Sequence, residues 1–198
     1  MKSLCKILRI ILVSFCLGSF SACSFGPVVL EKDINVQVTQ DLKKISSPIY
    51  FSKIFKTKPK QWLIYSNDKL MDFSGKWLDE MDGRKALDKS LSMVVNSIFE
   101  KPNVARCADA NYCLELMNIS ETRVSSHRTG DIHIDKFSYN ATMDVKDNAG
   151  KSILVREVTG EATSAEFDQK VDEKYLIELA INRMCQKVAN ALLGINWN

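Results

Sequence analysis

The chain has 198 residues, of which 45% are hydrophobic and 26% charged, a composition that suits one globular domain. The formal net charge is +3, but Lys2, Lys6 and Arg9 account for all of it, and the remaining 24 basic residues balance the 24 acidic ones. This balance, without a basic stripe, argues against a nucleic-acid-binding protein.

The N-terminal segment has the pattern of a secretory signal peptide. Its three basic residues precede an apolar run over 10–20, which is too short to cross a bilayer as a helix. The sequence Phe20-Ser21-Ala22-Cys23 follows and resembles the lipobox of bacterial lipoproteins, in which the cysteine is acylated and becomes the mature N-terminus. We therefore predict a lipoprotein signal peptide over 1–22, with membrane attachment through acyl chains on Cys23. Ordinary cleavage after Ser21 is the alternative.

The residue after the cysteine bears on the destination of the protein. Ser24 stands there instead of Asp. In the lipoproteins that this pattern resembles, such a residue favours the outer membrane. The expected location is therefore the outer membrane, lipid-anchored and facing the periplasm.

The first half of the mature chain is expected to hold two strands and a helix. Residues 23–33 are a tether, and 34–38 alternate as in a half-buried strand. We interpret the lysine-rich segment 41–59, which contains two prolines, as part loop and part docked segment. A short strand over 62–65 ends in a turn at 66–68, and helical spacing of apolar residues predicts a helix over 84–99 that Pro102 terminates.

The second half is expected to hold three strands and a long helix. The strands are predicted at 112–124, 132–145 and 151–162, with a compact turn at 147–150, and the helix at 172–193 with Gly194 as its C-cap. Two amphipathic helices need one sheet face to cover. We therefore predict a single α+β domain over 34–198, a two-layer sandwich with a mostly antiparallel or mixed sheet of four to five strands covered by two helices.

Three cysteines remain after Cys23 in an oxidising compartment. Cys107 and Cys113 flank a small-residue segment and are the candidate disulfide. Cys185 lies in an apolar helical pattern, which predicts a buried thiol. Cys5 and Cys16 leave with the signal peptide.

The sequence offers little that could carry catalysis. In an extended strand, Asp131, His133 and Asp135 share a face and are the metal candidates; the alternative is a solvated strand start beside a glycine turn. No nucleophile elbow, phosphate loop or dinucleotide fingerprint is present. We therefore predict a non-enzyme with no metal and no cofactor.

Aromatic residues are the remaining candidates for contacts. Trp62, Tyr65 and Trp77 cluster near Phe73 between the second strand and the first helix. They suit either the core or an exposed lip for lipid or a partner protein. Trp197 near the end suits either a pin against the sheet or a contact residue.

These residues carry a family resemblance. Two groups of residues carry it: Trp62-Leu63-Ile64-Tyr65, Leu70, Phe73, Lys76-Trp77-Leu78-Asp79-Glu80, Leu87 and Leu91, and, on the last helix, Ala180, Ala189, Leu192 and Trp197. Together they are similar to the pattern of the ABC-type transport auxiliary lipoproteins. The family's Trp-Ala pair is Trp77-Leu78 here, and its proline-rich approach to the helix is absent.

The resemblance implies a function. Members work with mammalian-cell-entry (MCE) domain proteins and an ABC transporter in moving lipids across the envelope. The chain would then be a non-catalytic outer-membrane accessory subunit that binds partner subunits and lipid. The alternatives are a lipopolysaccharide-assembly-type lipoprotein that chaperones an outer-membrane barrel, and a structural lipoprotein of a secretion or conjugation machine.

Overall fold

Five strands and two helices make up the part of the chain that the computed structural model describes, namely residues 44–66, 69–72, 83–102, 104–128, 132–167 and 171–197. In chain order these are β1 (Ile49–Ser66), β2 (Lys69–Asp72), α1 (Gly83–Ile98), β3 (Tyr112–Arg128), β4 (Ile132–Asp147), β5 (Ser152–Thr163) and α2 (Glu173–Leu193), with single 3₁₀ turns at Cys107–Asp109 and Ser164–Glu166. The predicted tether and the strand at 34–38 lie outside the described residues.

The strands form one mixed sheet in the order β2-β1-β3-β4-β5. Strands β1 and β3 run parallel, from Ile49 opposite Tyr112 to Ser66 opposite His127, because the chain crosses over through α1 between them. The other neighbouring pairs are antiparallel. The predicted fold class, an α+β sandwich with a mixed sheet under two helices, is confirmed.

The core lies between one face of the sheet, which we call the inner face, and both helices. Alternate residues of β4 from Phe137 to Val145 are buried, as their spacing predicts, and belong to one apolar core with residues of both helices. Helix α2 lies directly against β5 at Gly160, where a Cβ would collide with the Ala180 carbonyl oxygen and with Met184. Glycine is required at this point because the strand backbone lies directly against the helix.

The turns and caps follow local side-chain chemistry. Between β4 and β5 the Asp147 carboxylate accepts hydrogen bonds from the N–H groups of Ala149 and Lys151, and Gly150 has a φ of +79°. Asp172 caps α2 through the Lys174 N–H, and Gly194 closes it in the right-handed region at φ −79°. The turn at 147–150 and the C-cap at Gly194 were both predicted.

The segment 41–59 does dock against the core through Ile49, Phe51 and Phe55, but its strand was not predicted. Strand β1 begins at Ile49 and includes Pro59, so the expected short strand at 62–65 is only its end. The lysine-rich sequence has no strand pattern of its own, and the strand forms because its backbone pairs in parallel with β3. A register shift between Phe55 and Lys60 accommodates the proline. The short edge strand β2 was also not predicted.

The opposite face of the sheet, the outer face, carries cross-strand polar pairs. Lys146 forms an ion pair with Glu115 at 2.6 Å, and Thr142 donates to Glu157 at 2.7 Å. Within the described ranges neither helix lies on this face. Its pairing pattern is that of a solvated surface.

Candidate functional site

The candidate site is a group of polar and aromatic side chains on the inner face, where β1, β3 and β4 extend to the N-terminal end of α2. Arg123 of β3 lies at its centre and is 9% exposed. Its guanidinium donates to Glu173 Oε1 at 2.6 Å and to Asp135 Oδ1 at 3.2 Å. The ion pairs therefore join the first turn of α2 to the sheet.

The same guanidinium lies between two aromatic rings. Its Cζ atom is 5.2 Å from the Trp62 ring centroid and 5.3 Å from that of Phe137. Both distances are within the range of cation–π contacts. Strand pairing places Trp62 directly opposite Arg123, so the parallel β1–β3 register creates this contact.

A second series of hydrogen bonds fixes the orientation of Trp62. Its indole Nε1 donates to Ser125 Oγ at 3.3 Å, and the Ser125 hydroxyl donates to Asp135 Oδ1 at 2.5 Å. The backbone N–H of Asp135 donates to Ser164 Oγ at 2.9 Å. The indole is thus held by the polar group as well as by packing.

Burial changes the ionisation of Glu173. Desolvation raises the pKa of this carboxyl above its usual value, and the nearby Arg123 opposes that rise. The polar side chains of the site form hydrogen bonds and ion pairs with one another. The arrangement is therefore suited to holding an aromatic surface in place.

The predicted aromatic cluster is described only in part. Trp62 is half-buried in the site, whereas Phe73, Trp77 and the side chain of Tyr65 lie outside the described residues. Sequence reasoning missed Met71 of β2, which pairs with Ile64 and therefore shares the face of Trp62. Met71 is 41% exposed. We call Trp62, Ile64 and Met71 the contact patch.

Arg123 and Glu173 were also missed, and Asp135 was considered only as a metal ligand. A lone arginine within an alternating strand gives no local signal, because its acidic partners come from β4 and α2.

The metal candidates are not brought together in what the structure describes. Asp135 is engaged by Arg123, and Asp131 and the side chain of His133 lie outside the described residues. No group of three or more possible metal-ligating side chains occurs in the described part of the chain.

Trp197 makes contacts within the chain. Its ring meets Phe99 edge-on at 5.1 Å and Tyr112 at 4.8 Å, and its Nε1 donates to the Leu192 carbonyl at 2.9 Å. These are the contacts of a terminal pin, one of the two roles considered. A partner contact at Trp197 stays a prediction.

The cysteines of the described residues comprise one disulfide and one free thiol. Cys107 and Cys113 form a disulfide with their Cα atoms 5.5 Å apart, which is the predicted pairing. Cys185 is a buried free thiol, and burial raises its pKa to about 12. Cys23 lies outside the described residues. Among the described helices, none is long and apolar enough to cross a membrane.

Comparisons with known proteins identify no family. No family model matches the chain, and no curated protein matches it significantly. Similar solved structures include a minor lipoprotein from Acinetobacter baumannii, with 14% identity and a TM-score of 0.42, covering 75% of this chain and 91% of that one. A Xanthomonas campestris protein of family DUF330 has 12% identity and a TM-score of 0.45, covering 86% and 92%.

A third structure, the rare lipoprotein B from Shewanella oneidensis, has 14% identity and a TM-score of 0.37, covering 68% and 96%. At these identities and TM-scores, the likenesses carry no argument about this chain.

Proposed function

We propose that the chain is a non-catalytic lipoprotein of the bacterial outer membrane that serves as an accessory subunit of an envelope lipid-transport complex. One observation carries the proposal, the sequence Phe20-Ser21-Ala22-Cys23 after a basic and apolar leader. An acylated Cys23 would hold the domain at the membrane without a spanning helix, since two or more chains anchor firmly.

The contact patch supports a binding role. Exposed Met71 lies on the face of Trp62, and the ion pairs of Arg123 keep the indole in one orientation. Aromatic and methionine side chains on a rigid support are typical of protein contact surfaces. The resemblance to the ABC-type transport auxiliary lipoproteins makes an MCE-domain protein the expected partner, with lipid as the cargo.

The anchor is tested by replacing Cys23. We expect Cys23→Ala to abolish incorporation of radiolabelled palmitate and to move the protein out of the outer-membrane fraction. The matched control is Cys16→Ala, which alters a cysteine inside the predicted signal peptide and should leave both results unchanged. Palmitate incorporation by the Cys23→Ala variant would contradict the assignment.

The partner is tested by site-specific photo-crosslinking in cells. A crosslinker at Met71 should capture an MCE-domain protein, whereas one at Val155, 61% exposed on the outer face, should not. An outer-membrane barrel captured at Met71 would instead favour the lipopolysaccharide-assembly alternative. A ladder of self-crosslinked copies would favour the structural alternative.

A further inference from the structure

Strand β5 forms one edge of the sheet. It stands last in the order β2-β1-β3-β4-β5 and pairs with β4 on one side. In the ranges that the structure describes, no strand lies on its other side. The N–H and C=O groups of every second residue of β5 point away from β4. Such an edge can accept a further strand, and proteins commonly cover it.

Apolar side chains are exposed along the first half of this edge. Ile153 is 41% exposed and Val155 is 61% exposed. In the second half, a backbone acceptor already has a side-chain partner, since the Arg183 guanidinium of α2 donates to the Glu161 carbonyl oxygen at 2.7 Å. A strand that adds to β5 is therefore expected to pair with its first half, over 152–158.

An open groove leads from the described start of the chain to the same edge. It has a volume of about 470 Å³, and its lining includes Tyr112 at the start of β3 and Ile153 at the start of β5. The Trp197 ring contacts both Tyr112 and Phe99, and Phe99 forms a parallel bridge with Ile45. The chain that precedes Ile45 therefore starts beside this groove.

The sequence before the described residues contains a strand pattern of suitable length and position. Ile34, Val36 and Val38 alternate with polar residues. An extended chain from Val38 to Lys44 spans up to about 21 Å. Four strand spacings, from β1 to a position beyond β5, amount to about 19 Å. The segment is therefore long enough to reach the β5 edge.

The direction and the apolar pairs of this segment follow from its position. Val38 has to lie near the groove and the start of β5, so the segment runs antiparallel to the strand. In one register Ile34 lies opposite Val155, and Val36 lies opposite Ile153. Cross-strand pairs of β-branched side chains stabilise a sheet.

The charges of the two segments favour the same register. Asp33 then lies opposite Arg156, and Lys32 lies opposite Glu157. Both residues of β5 are exposed. A shift by two residues in either direction separates both of these pairs, and a shift by one residue moves Ile34 to the other face of the sheet. Charge complementarity and apolar pairing therefore agree on one alignment.

We propose that residues 32–38 add to the β5 edge as a sixth strand, antiparallel to β5, with Ile34 opposite Val155. The inference goes beyond the proposed function, because it concerns how the N-terminal segment meets the domain. Docking would leave 24–31 as the free tether after Cys23. An extended tether from Cys23 to Lys32 spans about 30 Å, compared with about 70 Å from Cys23 to Lys44 in an undocked chain.

A cysteine pair in the purified full-length protein, oxidised with oxidised glutathione, tests the alignment. Ile34→Cys together with Val155→Cys should form an intramolecular disulfide, because directly opposite Cβ atoms lie about 5 Å apart. The matched control is Ile34→Cys together with Glu161→Cys, since Glu161 lies about 20 Å further along β5. We expect at least tenfold more crosslinked chain for the first pair on non-reducing gels.

Hydrogen exchange gives a second measurement without new cysteines. In the full chain, Val36→Pro removes a backbone donor from the added strand, so the amides of 152–158 should exchange at least tenfold faster than in the native protein. Val28→Pro, in the free tether, is the matched control and should leave their exchange unchanged.

Each result decides what covers the edge. Disulfides between two chains at Val155→Cys would assign the edge to a second copy and overturn the proposal. Equal crosslinking of the two cysteine pairs would overturn the alignment. Exchange at 152–158 that is already fast in the native protein, or is unchanged by Val36→Pro, would show that the N-terminal segment does not dock there.

Discussion

At the scale of residues, one buried arginine organises the candidate site. Arg123 pairs with two carboxylates from different elements and stacks on two rings, so its removal would leave Asp135 and Glu173 without their cation. A buried carboxylate without its cation lowers the free energy of unfolding by more than the intact ion pair raises it. The free energy of unfolding should therefore be sensitive to this side chain.

Replacing Arg123 tests that dependence. We expect Arg123→Met to lower the free energy of unfolding by about 2–3 kcal/mol, measured by urea denaturation at neutral pH. The matched control is Lys136→Met, which breaks the exposed Lys136–Glu161 pair and should cost at most about 0.5 kcal/mol. Equal effects of the two substitutions would show that Arg123 does not organise the site.

Two glutamates near the start of α2 should respond oppositely to pH. Hydrogen bonds from Arg183 lower the pKa of Glu166 below 4.5, so its contribution to stability is present at neutral pH and is lost as the pH falls through the folded-state pKa. Burial raises the pKa of Glu173 above 4.5, so its ionisation destabilises the fold as the pH rises from 4.5 through the folded-state pKa.

Denaturation of two variants over pH 3–7 checks this contrast. Relative to the native protein, we expect Glu166→Gln to lose stability as the pH rises and Glu173→Gln to gain it. Parallel curves for the two variants would show that the environments of these carboxyls are not as described.

At the scale of elements, local patterns determined what the sequence could predict. The helices α1 and α2, the buried face of β4 and the turn at 147–150 follow from short-range periodicity and turn chemistry, and the structure has them within two residues. The start of β1 was missed because its partner β3 is distant in sequence. The Arg123 site was missed for the same reason, whereas the disulfide could be predicted because its cysteines are close along the chain.

The contact between β5 and α2 gives a prediction at this scale. We expect Gly160→Ala to lower the free energy of unfolding by about 2 kcal/mol or more, because the added methyl would meet the Ala180 carbonyl oxygen and Met184. Gly194→Ala is the control. The φ of Gly194 is −79°, and an added Cβ would be 3.4 Å from its nearest neighbour, the Asn190 carbonyl oxygen, so the free energy of unfolding should change by less than about 0.5 kcal/mol. A tolerated Gly160→Ala would contradict the close approach.

At the scale of the whole molecule, the two ends of the sheet differ in role. The end that holds Ile49 is closed by the Cys107–Cys113 disulfide and by Trp197, and the described chain begins there at Lys44. The contact patch lies at the other end of β1, roughly 40 Å away at the usual rise per residue.

Mass spectrometry of the native protein extracted from its membrane tests the anchor most directly. The account predicts an N-terminal peptide that begins at Cys23 and carries a diacylglycerol and an amide-linked acyl chain. A peptide that begins at Ala22 with a free Cys23 thiol, or one that retains the leader, would contradict it.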